Sequence, residues 1–185
     1  IVQDSRSTVA DREDIAIIGI SGQFPGAKDL EAFWENLVQG VSSIREIPGS
    51  RWDVDAYFEP GKKTPEKSYS KWGGFLDEVD RFDPKFFQIM PKEAELMDPQ
   101  QRLLMTHVWH AIEDAGYFPD QLVSVLESSD IGVFVGAVWS YYEMLGAENR
   151  NLGGNSIANS QHWGISNRIS SFMNFNGPSL TVDTA

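Results

Sequence analysis

Leu180-Thr181-Val182-Asp183-Thr184-Ala185 is an apolar run that ends in small residues. A strand normally hands over to a helix at such a point, and the N–H groups at a helix N-terminus favour an anion or a thiolate. The stretch predicts a strand from Ser179 to about Asp183 and a nucleophile at the junction that follows. The residues flanking that nucleophile would be Asp183, Thr184 and Ala185.

Two further apolar runs predict buried strands. They extend from Asp14 to Ser21 and from Ile131 to Ala137, and glycines lie in or next to both. Continuous apolar runs suit strands that are buried on both faces, as in a parallel sheet.

Helical patterns separate these strands. Lys28 to Val38 is amphipathic, with Asp29 as its cap and Gly40 at its end. Asp98 occupies an N-cap position before Pro99, and apolar residues then recur at helical spacing as far as Ala115.

The remaining segments carry weaker patterns. Residues 41–80 are rich in glycine, proline and charge, and predict a loop-rich segment with a hairpin. Residues 155–172 are rich in serine and asparagine and predict a helix. Because apolar strands alternate with helices, we expect an α/β fold with a mostly parallel sheet.

Composition excludes several classes of protein. The net charge of −12 argues against binding to nucleic acid or to anionic membranes, and no run of about 18 apolar residues predicts a membrane span. The chain has no cysteine, which excludes internal disulfides and thiolate metal sites. A reducing, cytoplasmic location fits this composition. Residues 1–13 are polar and predict a linker.

Two possible ligand sites are weak. Gly19, Gly22 and Gly26 lack the spacing of a dinucleotide-binding loop, so a tight turn at the strand exit is the preferred interpretation. His107 and His110 lie three residues apart on one predicted helix, but no third metal ligand accompanies them. His162 is equally ambiguous, and we predict no metal site.

A basic patch stands out in this acidic chain. It consists of Lys62, Lys63, Lys67 and Lys71. Two interpretations remain open, a solvated loop and a docking surface for an acidic partner.

An ordered series of motifs resembles the N-terminal half of a β-ketoacyl synthase (ketosynthase) domain of a bacterial modular polyketide synthase. The strongest match runs from Phe82-Asp83-Pro84 to Glu95, continues with Met97-Asp98-Pro99-Gln100-Gln101-Arg102-Leu103-Leu104, and ends with Ile112-Glu113-Asp114-Ala115-Gly116. The resemblance covers residues 14–185. Its other motifs are Gly22-Gln23-Phe24-Pro25-Gly26, Phe33-Trp34-Glu35-Asn36-Leu37, Asn167-Arg168-Ile169-Ser170 and Thr181-Val182-Asp183-Thr184-Ala185.

The resemblance implies a thiolase-like fold, in which two similar α/β halves sandwich helices, and a homodimer. It implies a Cys-His-His catalytic set whose cysteine directly follows Ala185 and whose histidines lie in the C-terminal half. None of the catalytic residues would then lie in residues 14–185, which form an N-terminal half that is incomplete at its C-terminal end. The segment would bind no cofactor, and the substrate would arrive on the phosphopantetheine arm of an acyl carrier protein.

The resemblance also implies the reaction, a decarboxylative condensation of a cysteine-bound acyl chain with malonyl-carrier protein. The alternative is a non-condensing ketosynthase that holds or transfers acyl groups. Val138 and Trp139 fall where family members gate the acyl pocket, and an inward Trp139 would shorten it; a packing or surface role is the competing interpretation. The 67–72 loop and Tyr117 resemble the bacterial branch that lacks built-in acyltransferases.

Three explanations suit a chain that stops before the nucleophile: a modified cysteine, a naturally split enzyme and a truncation. Half of a thiolase-like fold would expose a large apolar face. We therefore expect residues 1–185 to be unstable as an isolated monomer.

Overall fold

A computed structural model of the chain describes residues 14–61, 64–125, 129–139, 141–151 and 161–183. The predicted linker, Lys62, Lys63, Thr184, Ala185 and residues 155–160 of the predicted helix lie outside the described residues. In chain order the elements are α1 (Leu30–Gln39), β1 (Ile44–Glu46), α2 (Val54–Tyr57), β2 (Trp72–Gly74), α3 (Pro91–Ala94), α4 (Pro99–Asp114), α5 (Pro119–Val125), β3 (Val133–Gly136), α6 (Tyr142–Asn151), α7 (His162–Met173) and β4 (Ser179–Val182).

The two strand pairs differ in direction. β3 and β4 are parallel, with Val133 opposite Ser179 and Gly136 opposite Val182. β1 and β2 are antiparallel and form the hairpin expected in residues 41–80, although a long connection separates them. The α/β class is confirmed.

Helix caps lie where the sequence predicts them. The Asp29 carboxylate accepts a hydrogen bond from Ala32 N at 2.8 Å, and α1 ends at Gly40. The Asp98 carboxylate accepts one from Gln100 N at 2.8 Å at the start of α4. These side chains satisfy backbone donors that have no partner within the helix.

The core lies where α4, α7 and the segment before α4 meet. Its buried members are Phe87, Met97, Met105, Ile169, Met173 and Phe175. Aromatic rings extend this core, since Phe82 and Phe87 stack with centroids 4.9 Å apart and Phe86 meets Trp109 edge-on at 4.8 Å.

Gly177 allows β4 to approach β3 closely. A Cβ atom at this position would lie 2.6 Å from the carbonyl carbon of Ile131, so a larger residue would push the two segments apart. The chain bends at Gly177, and this bend is thus also a packing contact.

The predicted strand over 14–21 is wrong. The described residues of this segment form no strand, and Ile15 and Ile17 are 96% and 86% exposed. The segment lies instead along α4, where Ile20 N donates to Asp114 Oδ2 at 2.9 Å. Gly19 permits this contact, since a Cβ there would lie 2.1 Å from Ala111 O. Apolar composition alone does not make a strand, because a strand also needs a neighbouring strand to pair with its backbone.

β3 and β4 lie where they were predicted, but one face of the pair is open. Along both strands half-buried residues alternate with exposed ones. The open face carries Phe134, Leu180 and Val182, which are 68%, 51% and 47% exposed. The apolar runs predict strands that are buried on both faces. Within the described residues, β3 and β4 are covered on one face only.

Among the described residues no helix is both long and apolar enough to cross a bilayer.

We predict that purified residues 1–185 bind a hydrophobic dye and show no cooperative thermal transition, because the open sheet face leaves Phe134, Leu180 and Val182 in water. Scanning calorimetry and dye fluorescence test this. The control is a longer protein that contains these residues, measured under the same conditions. A single cooperative transition of the isolated polypeptide would contradict the prediction.

His107 joins the 14–21 segment to α4. Its Nδ1 lies 2.9 Å from Ser21 Oγ, within hydrogen-bonding distance. Burial lowers the pKa of His107 below the ordinary value of 6.5, and the neighbouring His110 lowers it further. The unfolded chain therefore binds this proton more readily than the folded one. The stability contributed by a neutral His107 is full above pH 6.5 and falls as the pH drops through and below that value.

We predict that the contact between residues 14–21 and α4 opens more often below pH 6.5. Hydrogen exchange at the backbone amides of both segments measures this opening, in a longer protein that contains this chain. The exchange rates are corrected for the intrinsic pH dependence of amide exchange. His107→Gln should flatten the dependence because glutamine cannot be charged. His110→Gln should weaken it only in part, because burial is the larger cause. An identical dependence in wild type and His107→Gln would contradict this prediction.

Candidate functional site

The carboxyl ends of β3 and β4 lie side by side. Ala137 N donates to Val182 O at 3.1 Å, which continues the ladder one residue beyond β3. Val138 and Trp139 follow directly on one strand, and Asp183 follows on the other. Asp183, one of the predicted nucleophile-flanking residues, therefore lies at the same edge of the parallel pair as Val138 and Trp139, the predicted acyl-pocket residues.

Hydroxyl groups attach β4 to α7. Thr181 Oγ1 donates to Ser166 Oγ at 3.0 Å, and Ser170 Oγ donates to Ser179 Oγ at 3.0 Å. Residues two apart share one face of a strand, and residues four apart share one face of a helix. Ser179 and Thr181 therefore face α7 from one side of β4, and Ser166 and Ser170 face β4 from one side of α7. The two hydrogen bonds set the position of β4 against α7, and with it the position of Asp183.

Trp139 occupies the exit loop of β3. Its side chain is 62% exposed, and its ring centroid lies 5.3 Å from that of Tyr141. Val138 is 42% exposed. Both residues thus lie at the open edge of the strand pair, and neither belongs to the buried core.

The N-terminus of α4 lies against this loop. Gln100 Nε2 donates to Trp139 O at 2.7 Å. Asp98, which caps α4, is 3% exposed, and Gln101 is 1% exposed. The buried and hydrogen-bonded carboxylate of Asp98 therefore lies next to this loop.

The basic patch lies on a different loop. Backbone hydrogen bonds from Glu59 N to Ser68 O and from Ser68 N to Tyr57 O close the base of this loop. Lys67 Nζ donates to Ala56 O at 2.6 Å. Lys62 and Lys63 lie outside the described residues.

Lys71 has several partners next to this loop. Its Nζ lies 2.7 Å from Glu46 Oε1, and 5.6 Å and 5.8 Å from the ring centroids of Phe58 and Trp72. Lys67 and Lys71 therefore both hold local structure, and a change at either would disturb the β1–β2 region as well as its charge.

Two of the three histidines are neighbours on one helix, and the third lies on another helix. His107 and His110 lie on α4, with ring centroids 6.1 Å apart, and His162 begins α7. No group of three metal-ligating side chains is found in the part of the chain that the structure describes.

Sequence reasoning missed Gln100 and the hydroxyl pairs as determinants of the site. Ser166 and Ser170 carry a detectable signal, because polar residues four apart on a helix mark one face. Gln100 carries none, since its role depends on the distant carbonyl of Trp139.

The chain matches a known family over nearly its whole length. Residues 12–185 match the family described as "Beta-ketoacyl synthase, N-terminal domain". The chain is 48% identical over 179 residues to polyketide synthase PksM of Bacillus subtilis (strain 168), covering 97% of this chain and 4% of that protein. It is 43% identical over 180 residues to polyketide synthase ThaG of Burkholderia thailandensis, covering 97% and 3%.

Solved structures give the same result. The oxazolomycin ketosynthase domain OzmH KS7 of Streptomyces albus JA3453 has a TM-score of 0.84 and 40% identity, covering 91% of this chain and 28% of that one. The ketosynthase from module 6 of the bacillaene synthase of Bacillus subtilis 168 has a TM-score of 0.74 and 37% identity, covering 91% and 26%.

The chain thus spans about 4% of the length of the first curated relatives and a little over a quarter of the length of these solved ketosynthases. The predicted resemblance and the thiolase-like fold are confirmed. The chain belongs to the β-ketoacyl synthase family, within its N-terminal domain, and its relatives are bacterial modular polyketide synthases.

Proposed function

We propose that this chain is part of a condensing ketosynthase of a polyketide synthase, and that it builds one wall of the acyl site. The observation that carries the proposal is the parallel pairing of β3 and β4, which brings Val138, Trp139 and Asp183 to one edge. In open α/β sheets, ligands bind at the carboxyl ends of the strands.

The nucleophile in this proposal is a cysteine that follows Ala185. Helix N–H groups just after a strand favour its thiolate. The thiolate attacks the carbonyl of an acyl thioester and a new carbon–sulfur bond forms. The carbon–sulfur bond to the carrier breaks, and the phosphopantetheine arm leaves as a thiolate that takes up a proton. Asp183, Thr184 and Ala185 place that cysteine, and the hydroxyl pairs on α7 hold the strand that leads to it.

The second half of the reaction forms a carbon–carbon bond. A malonyl thioester loses CO₂, and the electron pair of the broken bond becomes an enolate. The enolate carbon attacks the enzyme-bound acyl carbonyl, and the cysteine thiolate leaves. Backbone N–H groups stabilise the oxyanion of the intermediate. Two histidines of the C-terminal half assist this step, and the segment supplies no cofactor of its own.

The partners in this proposal are the C-terminal half of the ketosynthase, a second copy of the enzyme and an acyl carrier protein. The open face with Phe134, Leu180 and Val182 supports the first of these, because an apolar sheet face requires a covering layer. The basic patch supports the third, since acidic carrier proteins favour a basic docking surface.

We predict that the complete protein carrying this chain, loaded with an acyl group, releases CO₂ from malonyl-carrier protein and yields an equal amount of a β-ketoacyl thioester. Radiolabelled CO₂ capture and intact-protein mass spectrometry measure the two products. Acyl transfer without CO₂ release would overturn the condensing function and leave the non-condensing alternative. Absence of acyl transfer would overturn both.

We predict that Lys62→Glu combined with Lys63→Glu slows acyl transfer from the carrier protein about threefold to tenfold at low salt, because reversed charges weaken steering of an acidic partner. Transfer from a small pantetheine thioester should be unchanged. These two lysines are preferred because Lys67 and Lys71 have structural contacts.

Lys28→Glu is the matched control. Lys28 has an exposed side chain that lies 4.0 Å from Asp29, outside the basic patch. Equal slowing by the control, or an unchanged rate in the double variant, would contradict the docking role.

A further inference from the structure

Gln100 ties the exit loop of β3 to the first turn of α4. Its side-chain Nε2 donates to Trp139 O at 2.7 Å. The two residues are 39 positions apart, so this bond joins separate elements and does not form part of a local turn.

The orientation of the Gln100 amide follows from its neighbours. Nε2 also lies 3.4 Å and 3.3 Å from the two carboxylate oxygens of Asp98. An amide oxygen in this place would face only acceptors, so the NH₂ group must occupy it. Asp98 is 3% exposed and also accepts the hydrogen bond of Gln100 N, so the glutamine is held through both its backbone and its side chain.

The other end of the same loop is tied to β4. Ala137 N donates to Val182 O at 3.1 Å, so Val138 and Trp139 lie between two anchored points. The indole itself is 62% exposed and has a described ring contact only with Tyr141. Because side-chain packing holds Trp139 weakly, its backbone tethers decide where the indole lies.

We propose that Gln100 is a positioning residue that sets the length of the acyl chain the site accepts, acting through Trp139. This inference rests on the proposed function, in which Trp139 borders the acyl site. Gln100 touches no reacting atom. It fixes the carbonyl of Trp139 and so holds the indole where it excludes long acyl chains.

The experiment compares acyl loading of the complete protein from acetyl and octanoyl N-acetylcysteamine thioesters, by intact-protein mass spectrometry. Gln100→Met keeps the side-chain length but removes the donor. It should raise the octanoyl-to-acetyl ratio of kcat/KM about threefold, since a solvent-exposed neutral hydrogen bond contributes roughly that factor. Gln100→Lys restores a donor and should return the ratio towards the wild-type value.

Gln23→Met is the matched control. Gln23 Nε2 donates to Asp77 O at 2.8 Å, which is the same type of exposed contact on a different loop. This variant should leave the ratio unchanged. Trp139→Ala tests the acyl-pocket assignment itself and should raise the ratio further than Gln100→Met does.

Three results would overturn the inference in different ways. If Trp139→Ala raises the ratio and Gln100→Met does not, the role of Gln100 fails and the acyl site stands. If neither variant changes the ratio, both the role of Gln100 and the placement of Trp139 at the acyl site fail. An equal loss of rate for both thioesters in Gln100→Met would show a merely structural role, and it would also overturn the inference.

Discussion

The parallel register of β3 and β4 is the constraint on which the site depends. Because the strands run in the same direction, their carboxyl ends meet, and the bond from Ala137 N to Val182 O extends the pairing into the exit loop. A slip of one residue would turn Thr181 away from Ser166, since alternate strand residues face opposite sides. The hydroxyl pairs on α7 therefore hold the register while they cover one face of the strands.

α4 connects this edge to the rest of the chain. Its first turn contacts the Trp139 loop through Gln100, its middle buries Met105 in the core, and its last turn binds the N-terminal segment through Asp114. One helix of 16 residues thus joins the site, the core and the segment before α1.

Features with a local cause were predictable from the chain. Asp29 and Asp98 cap their helices because their carboxylates reach N–H groups two or three residues away. β3 and β4 lie where apolar runs predict strands. The ordered motifs were specific enough to identify the family. The resemblance predicted Asp183 beside the nucleophile and, separately, Val138 and Trp139 at the acyl pocket, and these roles stay predictions. The 14–21 segment has an equally apolar pattern and forms no strand, because pairing requires a partner that the pattern does not encode.

Contacts between distant segments determined the features of the fold that no local pattern predicts. The N-terminal segment is placed by its contacts with Asp114 and Ala111. Two serines of α7 bond to β4 and hold its register. Gln100 bonds to the backbone carbonyl of Trp139. Each is a hydrogen bond or close approach between residues far apart in the chain, so no periodicity reveals it. Local chemistry was sufficient for the caps, for β3 and β4 and for the family, whereas the geometry at the carboxyl ends of β3 and β4 was decided only when the chain folded and those groups met.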